Sequence, residues 1–377
     1  MKKRAVFEEV APGEAAKAPA APGAAAAAKA GARRQVRNWL IALLLLVALM
    51  VLVGGLTRLT DSGLSITEWN LIMGAMPPLS EADWSKAFTA YQTTDEYRLQ
   101  NSWMQLADFR EIFWWEWAHR FLGRLIGLVW LLPLLYFAAR RMIPRGWGLR
   151  LVMVGVLGGL QGAIGWWMVW SGLSARVDVA PYRLMTHLGI AFLIFALIFW
   201  FILKLGREEW ALLQARRRRD KGLFSFAAVL SGVLFIQILA GALLAGTKGW
   251  AGWNTWPLMD GALIAPEAFA MTPFWANFFE NQAMTQFVHR TIAALVVVAA
   301  LLVALKARRG AHRGSRFWAQ AALGGVLAQA TLGVFTLLLA APLEIAILHQ
   351  LGGLLLLALV FRAKFEAAYP REESVRG

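Results

Sequence analysis

Apolar positions gather in eight runs of roughly twenty residues, the length a helix needs to cross a hydrocarbon core. They cover 38–56, 118–138, 151–170, 184–205, 223–245, 285–305, 317–339 and 342–361, with polar stretches between them. The last two runs are separated by almost nothing, and Pro342 marks the turn. The pattern predicts an all-α integral membrane protein with eight transmembrane helices. Composition agrees: 59% of the 377 residues are hydrophobic and 16% charged, too apolar a balance for a soluble domain.

The net charge of +15 changes the picture only through its distribution. The side holding both termini carries 28 Lys and Arg against nine acids, and the other carries ten against fourteen. This is the positive-inside asymmetry, which places both termini in the cytoplasm. The run Arg216–Arg219 is then a topology signal, and nucleic acid is not among the expected partners. No cysteine is present, which excludes disulfides, thiolate metal sites and iron–sulfur clusters. Residues 1–36, rich in Ala and Pro, read as a disordered cytoplasmic tail, and 366–377 as a second tail.

The eight spans repeat as two units of four. Gly54 and Gly55 near the end of span one correspond to Gly241 in span five, and GGLQGAIGWWMV in span three to LAQATLGVFTLL in span seven. The expected architecture is two tandem pseudo-symmetric four-helix bundles, 37–208 and 209–365. An even number of spans per unit gives both the same orientation, about an axis along the membrane normal.

Four of the five histidines follow the repeat. His119 and His289 open spans two and six, each followed by arginine; His187 and His349 lie near the starts of spans four and eight. All four should sit at similar depth near the outer face. An imidazole in lipid needs a partner, and two from parallel helices can supply the axial nitrogens of one heme. A helix–helix hydrogen bond or a proton relay is the alternative for each. Gly123 and Gly127 after His119, and Gly352 and Gly353 after His349, are expected to leave room for a macrocycle. His312, in a basic loop, reads as solvated.

Arg120, Arg124 and Arg290 are candidates to pair with heme propionates, with snorkelling to headgroups as the alternative. One asymmetry breaks the repeat: Glu116 stands one turn before His119, whereas Gln286 holds that place before His289. A carboxylate can take a proton or stabilise positive charge, and an amide can only hydrogen-bond. The first half is therefore expected to host a reaction, and the second to hold a cofactor. Glu116 also sits among Trp114, Trp115 and Trp117, where an ordinary interfacial carboxylate would be at home. Residues 57–117 and the Trp-rich 246–283 form two long loops on the histidine side, expected to act as a lid.

The EWAHR and VHR openings, the THLG and HQLG partners and GLTRLTDSGLSITEWNLIMGAMPP together resemble the heme A synthase family, over residues 36 to 362. The likeness is greatest to the branch shared by mitochondria and many bacteria. The resemblance implies an oxidoreductase that converts the C8 methyl group of heme O to a formyl group, giving heme A for terminal oxidases. It implies a low-spin heme b held through its iron by His289 and His349, and substrate heme O received by His119 and His187. It makes Glu116 the catalytic carboxylate. The implied setting is the bacterial inner membrane, with the heme sites near the periplasmic face. The candidate partners are heme O synthase, an electron-transfer protein and a second copy of the chain. Some members carry cysteine pairs in the outer loops, which this chain lacks. Two other classes share some of these features: a bis-histidine di-heme cytochrome exchanging electrons with quinone, and a repeat-built transporter. The placement of all four histidines at one side disfavours electron transfer across the membrane.

Overall fold

The computed structural model describes residues 23–69, 73–174, 176–310 and 312–371. Among the described residues, eight helices are long and apolar enough to cross a membrane. They are α1 (Ala24–Leu59), α4 (Leu106–Ala139), α5 (Gly148–Ser174), α6 (Pro181–Leu205), α8 (Lys221–Gly246), α10 (Gln282–Arg308), α11 (Arg313–Leu338) and α12 (Leu343–Ala368). Between them lie α2 (Glu81–Gln92), α3 (Asp95–Leu99), α7 (Glu209–Arg217) and α9 (Asn277–Glu280). Among the described residues there is no strand, only one isolated bridge between Met259 and Ala262.

Helix ends follow local chemistry. Ser80 and Asp83 form a capping box on α2, Asp220 accepts from Leu223 N to start α8, and Asn281 accepts from Met284 N to start α10. Between α11 and α12, Ala340 and Ala341 both adopt left-handed backbone, and Ala341 N donates back to Thr336 O at 2.7 Å. This tight reversal explains the missing linker.

Tertiary contacts lengthen several spans. The helix α4 starts at Leu106 rather than 118, because Phe109, Ile112 and Phe113 bury against Trp84 and Tyr91. The expected tail 1–36 is corrected in part: α1 begins at Ala24, Val36 is buried, and Arg33 donates to the carbonyls of Lys204, Leu205 and Arg207. Residues 1–22 lie outside the described residues. The tail expected from 366 starts later, since α12 runs to Ala368 and buried Glu366 pairs with Arg362. Residues 372–377 lie outside the described residues.

In the first four spans, α1 packs on α4 and α6, and α5 packs on α6; in the last four, α8 packs on α10 and α12, and α11 on α12. The two sets meet through α6 against α8 and α1 against α12. The main core runs from Val36 to Val51 on α1 and over the terminus-side parts of the other spans, including Phe192–Leu205, Val296–Ala307 and Leu354–Ala367. It closes just short of the histidines, so the densely packed end forms a base and the functional groups occupy the other end.

Candidate heme-binding site

Each of the four histidines lies against a glycine of the preceding span. A Cβ built on Gly54 would fall 2.6 Å from Cε1 of His119, and one on Gly165, Gly241 or Gly333 would fall 2.9 Å from Cε1 of His187, His289 or His349. These positions must be glycine for the ring to lie against the neighbouring backbone. The room expected after His349 is used otherwise: a Cβ on Gly352 would meet the Gln329 amide at 2.2 Å. At Gly123 the nearest atom is Met50 Cε at 3.6 Å, and at Gly127 a Cβ would meet nothing.

One turn before the ring-facing glycine, three of the four helices carry glutamine. Gln161 Nε2 lies 3.3 Å from His187 Nε2 and donates to His187 O at 3.0 Å. Gln237 Nε2 lies 3.2 Å from His289 Nε2. Gln329 Nε2 lies 3.1 Å from His349 Nδ1 and donates to His349 O at 2.7 Å. The fourth helix departs from this pattern, with Met50 in the equivalent place before Gly54. The signal was present in the sequence as Q-x-x-x-G on spans three, five and seven, an i,i+4 pair on one helix face.

The structure brings His289 and His349 together with ring centroids 6.5 Å apart and planes at 77°. Imidazole–metal bonds are about 2.0–2.1 Å, so two rings on one metal put their centres roughly 6.3 Å apart. The spacing of this pair therefore suits one iron held between rings on its opposite sides. His119, His187 and His289 each bury an Nδ1 that has no hydrogen-bond partner. Unsatisfied imidazole nitrogens in a membrane interior are costly, as expected of rings built to receive a ligand. His119 and His187 lie within electrostatic reach of each other. Among the described residues no three of His, Cys, Asp or Glu gather where they could hold a metal ion.

Glu116 is buried and fully engaged. Its Oε2 accepts from Ser65 Oγ at 2.8 Å and Ile66 N at 2.7 Å, and its Oε1 accepts from Arg120 Nη2 at 2.6 Å and Nε at 3.0 Å. Arg120 also donates to the carbonyls of Ile66 and Glu68. Gln286 builds the counterpart: its amide donates to the carbonyls of Gly249 at 2.9 Å and Gly252 at 2.8 Å, and its Oε1 accepts from Arg290 Nη2 at 2.8 Å. Arg290 donates in turn to Trp253 O at 2.7 Å and to the carbonyls of Pro257 and Leu258. Both guanidiniums thus tie a loop to the histidine helix. Arg124 lies half-buried one turn beyond Arg120, and His312 stands at the N-cap position of α11 without a side-chain capping bond.

The two long loops carry small cores of their own. Trp84, Tyr91, Phe109 and Phe113 make an aromatic cluster that seats α2 on the extension of α4, and Met259, Ala265, Ala268 and Met284 seat the other loop on α10. Beneath the first cluster Glu96 is 3% exposed, with Oε2 unpartnered, and burial pushes its carboxyl up to about 8. Between the halves, Lys248 pairs with Asp178 at 3.2 Å and Arg176 with Glu280 at 3.0 Å.

Residues 37–361 match the model of a family described as cytochrome oxidase assembly proteins. The heme A synthase of Ruegeria pomeroyi is 50% identical over all of this chain and 99% of its own length. The heme A synthases of Dinoroseobacter shibae and Paracoccus denitrificans are 50% and 48% identical, over all of this chain and 99% of theirs. With its paired histidines on eight membrane helices, the chain belongs to this cytochrome oxidase assembly family.

Proposed function

We propose that this protein is a heme A synthase, an oxidoreductase that oxidises the C8 methyl group of heme O to a formyl group, the oxygen and the electron acceptor being supplied from outside the chain. The observation that carries this reading is a repeated site made unequal. Both halves pair histidines against glycines, but only the first sets a carboxylate, Glu116, beside them.

His289 and His349 would hold heme b by its iron, which supplies one-electron redox chemistry when bound. His119 and His187 would receive heme O. The absence of a glutamine beside His119 leaves that ring less constrained, as suits a site whose occupant must leave. Glu116, its oxygens held in place by Ser65, Ile66 and Arg120, is the carboxylate positioned to stabilise positive charge developing on the substrate or to take its proton. Arg120, Arg124 and Arg290 supply cationic charge for propionates, Arg120 and Arg290 while fastening the loops. The division into a substrate half, 37–208, and a heme b half, 209–365, follows from this assignment. By the positive-inside asymmetry, the termini lie in the cytoplasm and the histidine side faces the periplasm of a bacterial inner membrane. Heme O synthase and an electron-transfer protein are the partners this reading requires.

The test is to express the chain together with heme O synthase in cells lacking heme A and to analyse extracted heme. Heme A should accumulate, dependent on the four histidines. Accumulation of heme O alone, with the chain present and carrying its heme b, would overturn the assignment.

A further inference from the structure

The end of the bundle away from the histidines holds a feature the reaction does not use. A cavity of about 190 Å³ opens between α5, α6 and α7 and the ends of α1 and α12. Four basic side chains line it, Arg33, Arg150, Lys204 and Arg216, against a single carboxylate, Glu209. Arg33 is answered in part by the carbonyls ending α6, at 2.5–3.0 Å. Arg150 stacks on Trp147, its guanidinium 5.1 Å from the ring centre. This leaves Arg150, Lys204 and Arg216 around one hollow, and like charges gathered there are stabilised by an anion.

The other wall is apolar. The helix α7 buries Leu212 and Ala215 against the bundle, while Trp210 and Leu213 are 68% and 59% exposed. A short amphipathic helix with an exposed Trp and Leu beside arginines is suited to the headgroup layer. Leu212 and Leu213 line the same cavity as the cations. A ligand that fits both walls carries a phosphate and a hydrocarbon chain.

We propose that this cavity binds an anionic phospholipid of the surrounding leaflet, its phosphate between Arg150, Lys204 and Arg216 and an acyl chain along Leu212 and Leu213. Basic pockets at the ends of membrane helices suit such headgroups. The lipid would join the two halves of the chain, because the cavity also includes Tyr369 at the end of α12, whose carbonyl accepts from Arg207 beyond α6.

Native mass spectrometry and thermal unfolding of the detergent-purified full chain test this, with phosphatidylglycerol, phosphatidylcholine or inorganic phosphate added. Phosphatidylglycerol should be retained one to one and raise the unfolding temperature, and the other two should do neither. Arg150→Gln/Arg216→Gln should weaken retention by about thirtyfold. Lys204→Gln, which leaves Arg150 on Trp147, should weaken it by about fivefold. Arg140→Gln/Arg145→Gln, which removes as much charge from the same side outside the cavity, should retain the lipid. Undiminished retention by both cavity variants, or equal stabilisation by phosphatidylcholine or inorganic phosphate, would overturn the proposal.

Discussion

Glu116 and Gln286 occupy equivalent places one turn before a histidine, yet they hold their loops with opposite hydrogen-bond polarity. Glu116 accepts from a loop N–H and a serine hydroxyl, whereas Gln286 donates to two loop carbonyls. In each half an arginine four residues later accompanies the contact. The difference in side chain is therefore matched by a difference in which backbone group the loop presents.

This polarity predicts that neither residue tolerates the other. In Glu116→Gln the new amide donor faces Ile66 N or Arg120, both donors, and a charge-assisted contact worth ~1.5–3 kcal/mol is lost. Conversion of heme O should fall at least tenfold, and loop 60–69 should become more sensitive to protease. Gln286→Glu places a carboxylate against two carbonyls and should loosen the loop at 249–253 while Glu116 stays intact. Full turnover in Glu116→Gln would remove the carboxylate from the mechanism.

The proposed axial pairs predict separate spectroscopic losses. His289→Ala or His349→Ala should abolish the bound b-type spectrum while the chain remains in the membrane. His119→Ala or His187→Ala should leave that spectrum and eliminate heme A formation. An unchanged spectrum in both second-half variants would count decisively against a heme at that pair.

If the histidines ligate heme as proposed, the ring-facing glycines control heme content through the position of each ring. Gly241→Ala brings a methyl to 2.9 Å from His289 Cε1, closer than packing allows, so the ring must move. Heme b content should drop in Gly241→Ala and hold in Gly127→Ala, where a Cβ meets nothing. Heme-to-protein ratio after purification measures both.

Met50 makes a prediction in the opposite direction. Met50→Gln restores beside His119 the amide that the other three histidines have. Groups that orient a metal-bound histidine contribute about 10–100-fold in affinity. The variant should retain heme in the first half more tightly and turn over more slowly. Faster turnover, or unchanged retention, would separate Met50 from ligand release.

Glu96 makes the first loop sensitive to pH. Burial, reinforced by the charges of Glu116, Asp61 and Asp178, raises its carboxyl from 4.5 to about 8, against a hydrogen bond from Tyr91. The folded loop keeps the proton that the unfolded chain releases above about 4.5, so stability falls as pH rises from there to about 8. Limited proteolysis of this loop should be faster at pH 9 than at pH 6. Glu96→Gln should remove the difference.

Sequence alone determined the eight spans, the two-sided charge and the repeated histidines, because hydrophobic length and period are properties of consecutive residues. It also marked Glu116 against Gln286. Tertiary structure decided which glycine faces which ring: Gly54 and His119 belong to different helices, and their approach depends on packing. It gave Gly352 to the Gln329 amide rather than to a macrocycle, and it lengthened α4 to Leu106 through contacts with Trp84 and Tyr91. Above all it decided what Glu116 and Gln286 do. Every residue but proline offers a backbone donor as well as an acceptor. Only the path of the chain over the histidine helices selects Ile66 N–H for the carboxylate and the carbonyls of Gly249 and Gly252 for the amide.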